Sequence, residues 1–296
     1  MLNIFLERLR QKKRTVPYPK ALPQLPPRFR GRPLINARRC DGAQGTNCRD
    51  CADACPAGAI AFDDRSPVLD TGLCTFCGAC ATACKRQALF FTTDWRLASS
   101  SRDALLVRPG NTKELFAPKG AGFAAVSLPG PEPLGSLDLK AVTPPPIRPF
   151  AGGGAFRRSF RLRQVSAAGC GACEADLNVL STVVFDLARF GIDFVASPRH
   201  ADALVITGPA PRNMKQALLI CDEATPKPRA VIAVGACAIS GGLFHEKSGA
   251  TDGQEADGAS ALLPVDLYIP GCPPHPYTNL DGLLRFLGLS VQRPSE

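Results

Sequence analysis

Cysteine spacing is the chemical feature that stands out in this chain of 296 residues, which contains thirteen cysteines. Four of them, Cys74, Cys77, Cys80 and Cys84, follow the pattern C-x2-C-x2-C-x3-C. In this pattern three thiolates bind one 4Fe-4S cluster and the fourth binds a second cluster. Small residues between them, such as Gly78, let backbone amides approach the cluster sulfides. The spacing therefore predicts an iron-sulfur site.

The same pattern occurs a second time, 29 residues earlier. The shift places Cys48, Cys51 and Cys55 on the last three cysteines of the run, whereas Gly45 occupies the first position. We predict that Cys40, five residues upstream, takes that position through a loop enlarged by glycines. The segment is thus an internal repeat in which one ligand has moved.

Two clusters follow from this repeat. The first would be bound by Cys40, Cys48, Cys51 and Cys84, and the second by Cys74, Cys77, Cys80 and Cys55. If Cys40 is not a ligand, the first site would hold a three-iron cluster on the remaining three cysteines. A zinc site is the other alternative, but duplicated cysteine triplets fit the closed tetrahedral pairs of structural zinc poorly.

Four more cysteines lie far apart in the second half of the chain. They are Cys170 and Cys173 in SAAGCGACEADLNVL, Cys237 in VGACAISGGLF, and Cys272 in YIPGCPPHP. Each motif follows a predicted strand and is rich in glycine, which permits tight turns and a close approach of backbone to a cluster. We predict that these four cysteines bind a third 4Fe-4S cluster.

Short apolar strands alternate with helices in this half. The pattern predicts strands at 160–165, 203–207, 230–234 and 265–269, and helices at 174–190, 214–222 and 278–287. Such alternation is typical of an α/β fold with a doubly wound parallel sheet. Ligands of such sheets gather beyond the carboxyl ends of the strands, where the cysteine motifs fall.

Composition divides the chain into four parts. We predict a basic amphipathic arm at 1–39, a cysteine-dense two-cluster domain at 40–95, a connector at 96–158 and an α/β domain at 159–296. Seven prolines between residues 129 and 149 favour an extended conformation in the connector. A connector of this length is expected to lie along a partner's surface.

The net charge of +9 is concentrated in the arm, because residues 1–40 contain eleven Lys and Arg and one acid, Glu7. Leu2, Phe5, Leu6 and Leu9 recur at helical spacing beside these cations. The arm is expected to contact an anionic membrane face or a partner subunit, with a solvated tail as the alternative. No DNA-binding motif or set of stacking aromatics accompanies the charge, so nucleic acid is not expected as a partner.

The sequence shows no signal peptide and no run of eighteen apolar residues. Metal-bound thiolates are therefore expected rather than disulfides, in a cytoplasmic protein. Cys221 lies in an apolar helical run and is interpreted as a core thiol. His245 and His275 are interpreted as loop histidines, with proton transfer as the alternative, and Glu174 as a helix-capping charge or a proton link.

Residues 40–91 resemble bacterial two-cluster ferredoxins of α+β fold. The stretches MLNIFLERLR and PRFRGRP, at 1–10 and 27–33, are similar to ferredoxin-type subunits of complex I and of energy-converting hydrogenases. Residues 160–288, with ITGPAPRNM at 206–214, resemble the small subunit of membrane-bound nickel-iron hydrogenases and its relative in complex I. This second resemblance implies a flavodoxin-like fold that holds a cluster next to a catalytic large subunit.

The resemblance implies an electron-transfer subunit of an energy-converting hydrogenase, with no substrate site of its own. Its partners would be a hydrogenase large subunit, integral membrane subunits and a low-potential electron donor, at the inner face of the cytoplasmic membrane. In the complex I relative the first two ligands are adjacent, whereas two residues separate Cys170 from Cys173, as in hydrogenases. The alternatives are a quinone-reducing complex I-like module, a related complex without nickel-iron, and a free electron carrier.

Overall fold

A computed structural model describes residues 2–110, 143–151, 159–245 and 257–289. It contains two small antiparallel sheets in the N-terminal part and a five-stranded parallel sheet in the C-terminal part. The mixed α/β fold class predicted from the sequence is therefore confirmed.

The N-terminal module contains an internal structural repeat. Its elements are α1 (Leu2–Gln11), β1 (Pro33–Ile35), α2 (Asp50–Asp53), β2 (Ile60–Asp63), β3 (Ser66–Asp70), α3 (Ala79–Ala83), β4 (Leu89–Phe91) and β5 (Leu106–Val107). Helices α2 and α3 begin 29 residues apart, at Asp50 and Ala79, and strands β2 and β4 begin 29 residues apart, at Ile60 and Leu89. The repeat seen in the cysteines is thus a repeat of the backbone.

Short strands hold this module together. Strand β1 pairs antiparallel with β4, and β3 pairs antiparallel with both β2 and β5. Asp64 and Arg65, which connect β2 to β3, both have positive φ angles, the geometry of a tight two-residue hairpin turn. The hairpin packs Leu69 into a core with Ile35 and Phe91.

The C-terminal module is a parallel sheet covered on both faces. Its elements are β6 (Phe160–Ser166), α4 (Ala172–Val179), β7 (Ile192–Phe194), β8 (Ala203–Thr207), α5 (Lys215–Glu223), β9 (Ala230–Val234), α6 (Ala236–Ser240), β10 (Leu267–Ile269) and α7 (Pro276–Phe286). The strand order is β7-β6-β8-β9-β10 and every pairing is parallel. In chain order this is second, first, third, fourth, fifth, the flavodoxin-like arrangement.

Alternate residues of the buried strands face different cores. Val205 of β8 packs in a core with Leu177 of α4 and Leu283 of α7, whereas Leu204 packs in another core with Leu218 of α5. Each face of the sheet therefore has its own layer of helices.

One predicted helix is shorter than expected. The sequence predicts a helix over 174–190, but α4 ends at Val179 and is followed by turns, a 3-10 helix at Leu187–Phe190 and strand β7. The run Ser181 to Val184 is poor in helix formers, because β-branched side chains lose rotamer freedom in a helix. Asp186 has a positive φ angle, which a helix does not allow.

The described start of the predicted connector packs against both modules. Strand β5 joins the sheet of β3, and Ser99 exchanges two backbone hydrogen bonds with Tyr268 of β10, at 3.0 and 2.8 Å. Residues 111–142 and 152–158 of the connector lie outside the described residues. The domain boundaries given above stay a prediction.

Helix α1 forms the start of the basic arm. The side chains of Ile4, Leu6 and Leu9 are exposed. Further along the arm, Val16 donates a backbone hydrogen bond to Val184 of the C-terminal module, at 2.8 Å. Within the described ranges no helix combines the length and apolarity needed to cross a bilayer.

Candidate iron-sulfur sites

The structure brings the cysteines predicted for the first cluster to one place. A cavity of about 320 Å³ is lined by all four members of group 1, namely Cys40, Cys48, Cys51 and Cys84. Cys48 is exposed and the other three are partly buried. The cavity has room for a polynuclear cluster rather than for one ion only.

Cys40 reaches this cavity because the loop after it is compact. Residues Gly42–Gln44 form a 3-10 turn, and Gly45 follows with a φ of 88°. Backbone amides of Gly42 and Ala43 hydrogen-bond the sulfur of Cys40. The extra residues in the repeat are thus taken up in a turn, and the thiol still lies with the other three.

Group 2 consists of Cys55, Cys74, Cys77 and Cys80. Cys74 and Cys80 are buried, and Cys77 is exposed. Burial raises the pKa of both buried thiols, and the nearby sulfurs of Cys55 and Cys77 raise it as well, so the four cysteines lie close together. The loop between them turns sharply, since Phe76 and Gly78 both have positive φ angles.

Backbone amides point at cysteine sulfur in both halves of the repeat. The amide of Ala59 donates to Cys55 Sγ and that of Ala88 donates to Cys84 Sγ, each at 3.3 Å. The amide of Phe76 donates to Cys74 Sγ at 3.3 Å. Hydrogen bonds to sulfur stabilise thiolate and are one way in which a protein tunes a cluster's potential.

Group 3 consists of Cys170, Cys173, Cys237 and Cys272 and is assembled by the parallel sheet. The loops that carry them follow β6, β9 and β10, which end at Ser166, Val234 and Ile269. The pKa of Cys173 is raised by its burial first, and then by the nearby sulfurs of the other three. The carboxyl edge of the sheet therefore gathers ligands that are 102 positions apart in sequence.

Two glycines fit closely around the sulfurs of group 3. A Cβ on Gly235 would lie 2.5 Å from Cys173 Sγ, and one on Gly242 would lie 3.0 Å from Cys237 Sγ. Both glycines have positive φ angles, 89° and 57°. The loops thus form a cradle that a side chain would fill, which suits a cluster held by close backbone contact.

Several thiols in the three groups have raised pKa values, as expected for cysteines that lose their protons only when a metal binds. Burial first, and neighbouring thiolates after it, raise the pKa of Cys51 and Cys237 to about 11 and that of Cys74 and Cys80 to about 12. Without a cluster these thiols would stay protonated at neutral pH. Iron supplies the positive charge that stabilises four thiolates together, with release of their protons.

No three His, Cys, Asp or Glu side chains in the described part of the chain converge tightly enough to bind a single metal ion. Cys40, Cys48, Cys51 and Cys84 are instead spread around the cavity described above.

Glu174 holds the first loop of group 3 in place. Its Oε1 accepts hydrogen bonds from Ser166 at the end of β6 and from Thr207 at the end of β8, at 2.7 and 2.6 Å. Burial raises the pKa of Glu174, but these hydroxyl donors outweigh it and the pKa is lowered. The carboxylate therefore joins two strand ends beside Cys173, a role that the sequence analysis did not identify.

The other residues considered from the sequence lie outside the three groups. Cys221 is on α5 and packs beside the core of Leu218. His275 accepts a hydrogen bond from the amide of Tyr277 at 3.2 Å, which caps α7. His245 Nε2 lies 3.2 Å from the carbonyl oxygen of Ala57.

Contacts between the modules join the loop before group 2 to the helix of group 3. Ser240 of α6, three residues after Cys237, donates its hydroxyl to the carbonyl of Gly72 at 2.8 Å. Gly72, two residues before Cys74, also approaches Ile239, since an added Cβ would lie 2.8 Å from Ile239 Cγ2.

A second contact connects group 2 with group 3, and the sequence analysis did not identify it. Phe29 packs edge-on against His275, with ring centroids 5.3 Å apart. The adjacent residue, Arg30, lies against the loop of group 2, where an added Cβ on Gly78 would be 2.8 Å from Arg30 Nε. The segment 29–30 therefore spans from the loop of group 2 to the loop after Cys272.

Two protein families match the chain over these regions. Residues 170–286 match the family described as "NADH ubiquinone oxidoreductase, 20 Kd subunit". Residues 45–91 match the "4Fe-4S dicluster domain". The first match contains group 3, and the second contains all cysteines of groups 1 and 2 except Cys40.

Among its relatives, the chain is 40% identical to formate hydrogenlyase subunit 7 of Escherichia coli, over 47% of this chain and 52% of that protein. It is 38% identical to a probable membrane-bound hydrogenase subunit, mbhJ, of Pyrococcus furiosus, over 43% of this chain and 73% of the relative. It is 42% identical to an NADH-quinone oxidoreductase subunit of Citrifermentans bemidjiense, over 40% of this chain and 65% of that protein. The chain thus spans about half the length of the first of these relatives and about two thirds of the third.

Proposed function

Since the chain belongs to the family of the NADH ubiquinone oxidoreductase 20 Kd subunit and carries a 4Fe-4S dicluster domain, we propose that it is the electron-transfer subunit of a membrane-associated, complex I-related oxidoreductase. The three cysteine groups would hold three 4Fe-4S clusters. Bound clusters supply one-electron transfer at potentials that the protein sets through charge, hydrogen bonds to sulfur and exposure.

The observation that carries the proposal is the arrangement of the groups. Group 1 lines a cavity in the N-terminal module, whereas the loop before Cys74 of group 2 contacts the helix of Cys237 in group 3. Cys51 of group 1 packs against the apolar core that contains Cys80 of group 2, so these two groups are neighbours. This arrangement supports a chain of redox centres in the order group 1, group 2, group 3.

The partner of group 3 is proposed to be a hydrogenase large subunit with a nickel-iron site. Two residues separate Cys170 from Cys173, the spacing of the hydrogenase side of the resemblance. A low-potential donor would reduce group 1, and protons would be reduced in the large subunit. The protein would lie on the cytoplasmic face of the membrane, bound to integral membrane subunits.

A quinone-reducing module is the second candidate, because one of the relatives is named as a subunit of an NADH-quinone oxidoreductase. A related complex without nickel-iron is the third. Both would use the same three cysteine groups. The separation of Cys170 from Cys173 by two residues counts against the quinone-reducing module, whose relatives have adjacent cysteines there.

Anaerobic purification of the intact complex separates these candidates. We expect about twelve irons per chain from three four-iron clusters, nickel in the complex, and hydrogen evolution with a low-potential donor. Quinone-dependent turnover without hydrogen exchange would favour the second candidate. Zinc or no metal in the C-terminal module would contradict the relay itself.

A further inference from the structure

A second cavity, separate from the cysteine groups, lies where the basic arm meets the C-terminal module. Its volume is about 490 Å³. Among the residues that the structure describes, five cations line it and no acidic side chain does; the cations are Arg8, Lys13, Arg14, Lys20 and Arg189. None of the ion pairs found in the described part of the chain involves these five.

The arm is fixed at this cavity by hydrogen bonds. Arg189 Nη2 donates to the backbone carbonyls of Val16 and Tyr18, at 2.9 and 3.0 Å. Its guanidinium also lies over the ring of Phe190, 4.5 Å from the centroid. Since Val16 is itself hydrogen-bonded to Val184, the two walls of the cavity are held together by the fold.

The chemistry of the lining selects an anion with several oxygens. Cations gathered without a counterion repel one another, and an anion in the cavity would relieve that repulsion. Arginine presents a fork of donors that matches phosphate, and lysine adds a compact charge. A phosphate group is therefore the ligand that this set of donors fits.

Exposed apolar side chains next to the cations indicate what carries the phosphate. On α1, Ile4 is 72% exposed and Leu9 is 74% exposed; Val183, whose carbonyl accepts a hydrogen bond from Thr15, is 68% exposed. A soluble phosphate compound would not need these side chains, whereas a phospholipid presents phosphate directly above its acyl chains. We propose that the cavity binds the phosphate of an anionic phospholipid headgroup while the apolar side chains of α1 enter the lipid layer.

Vesicle binding by the full chain, purified with its clusters, tests this site. Vesicles of phosphatidylcholine are compared with vesicles that also contain phosphatidylglycerol, at an ionic strength of about 0.15 M. The double variant Lys13→Gln/Arg14→Gln is expected to bind the anionic vesicles roughly 25-fold more weakly, about fivefold for each cation. The matched control is Arg199→Gln/Lys227→Gln, which removes the same charge from exposed positions outside the cavity and should bind as the unmodified chain does.

A second pair of variants distinguishes lipid from free phosphate. Leu9→Ser should weaken vesicle binding about tenfold, whereas Ile220→Ser, at an exposed position on α5, should not. Neither should change the binding of inorganic phosphate measured by calorimetry. If the cavity variant and its charge-matched control lost affinity for anionic vesicles equally, the proposed site would be overturned, because general surface charge would then explain the binding. The proposal of a lipid ligand would be overturned if the chain bound no vesicles, whether or not it bound inorganic phosphate. Binding of neither is the result expected if the cavity instead binds an acidic protein partner.

Discussion

Groups 1 and 3 have the same composition, four cysteines, but the fold assembles them in opposite ways. The ligands of group 1 lie within one repeated loop-and-helix unit and its copy, and they are positioned by local turns. Those of group 3 come from three loops at the carboxyl edge of a sheet. A locally built site can absorb a displaced ligand in a longer turn, whereas a sheet-edge site requires each loop to keep its own path.

Two glycines make this contrast measurable, because both have a positive φ angle and their surroundings differ. Gly45 in the loop of group 1 has a φ of 88°, and a Cβ there would meet nothing within 4 Å. Gly235 beside group 3 has a φ of 89°, and a Cβ there would lie 2.5 Å from Cys173 Sγ. Replacement by alanine at Gly45 imposes left-handed strain of about 1–2 kcal/mol and no steric clash. At Gly235 the ψ angle is 156°, a backbone region that essentially only glycine adopts, so alanine there adds a steric clash to a backbone that it does not fit.

The largest expected effect is therefore that of Gly235→Ala. We expect this variant to lose about four irons and the electron paramagnetic resonance signal of one cluster, while groups 1 and 2 keep theirs. Gly45→Ala, the control at a positive-φ glycine with open surroundings, should keep about twelve irons. Iron analysis and spectroscopy on anaerobically purified protein give the answer. Full iron content in Gly235→Ala would show that the loops of group 3 are as adaptable as the loop of group 1.

The next test concerns Cys40, the cysteine of group 1 that lies outside the regular spacing of the repeat. Cys40 lines the cavity with the three cysteines of the regular pattern, so Cys40→Ser should lower the iron content by about one, to a three-iron cluster, and alter one spectrum only. Cys221→Ser, which changes a thiol on α5 outside the three groups, is the control. An unchanged spectrum in Cys40→Ser would mean that the turn at 42–44 does not deliver a ligand.

The sequence was most informative where residues close together in the chain decide the structure. The strands at Ala203–Thr207 and Ala230–Val234 were predicted to the residue, because short, wholly apolar runs mark buried parallel strands. The 29-residue repeat also gave the equivalence of α2 and α3. Strand β7 was missed because three residues at a sheet edge, with Asp193 exposed, carry no such pattern.

The contacts between modules could not be predicted from the sequence, for a different reason. Ser240 to Gly72 and Phe29 to His275 are separated by 168 and 246 positions, and neither pair has a distinctive motif of its own. Such contacts depend on how two finished modules pack. The convergence of group 3 was predictable because a parallel sheet brings all its carboxyl ends to one edge. The position of group 2 beside group 3 was not predictable in this way.

The smallest expected effect concerns that packing, at the boundary between the local and the sheet-built sites. Ser240→Ala removes the hydroxyl bond to Gly72, whereas Ser260→Ala removes a similar bond, 3.0 Å long, to Ile239 within the C-terminal module. Each should cost about 1 kcal/mol and lower the midpoint of thermal cluster loss by about 2–4 °C.

Only Ser240→Ala should also slow the reduction of the cluster at group 3 after a low-potential donor has reduced groups 1 and 2, because only this bond crosses between modules. Rapid-freeze paramagnetic resonance follows the arrival of the electron. If both serine variants transfer electrons equally fast, the bond to Gly72 stabilises the protein without setting the approach of group 2 to group 3. The bridge formed by Phe29 and His275 would then be the contact that holds the two sites together, and Phe29→Ala should show the slower transfer in its place.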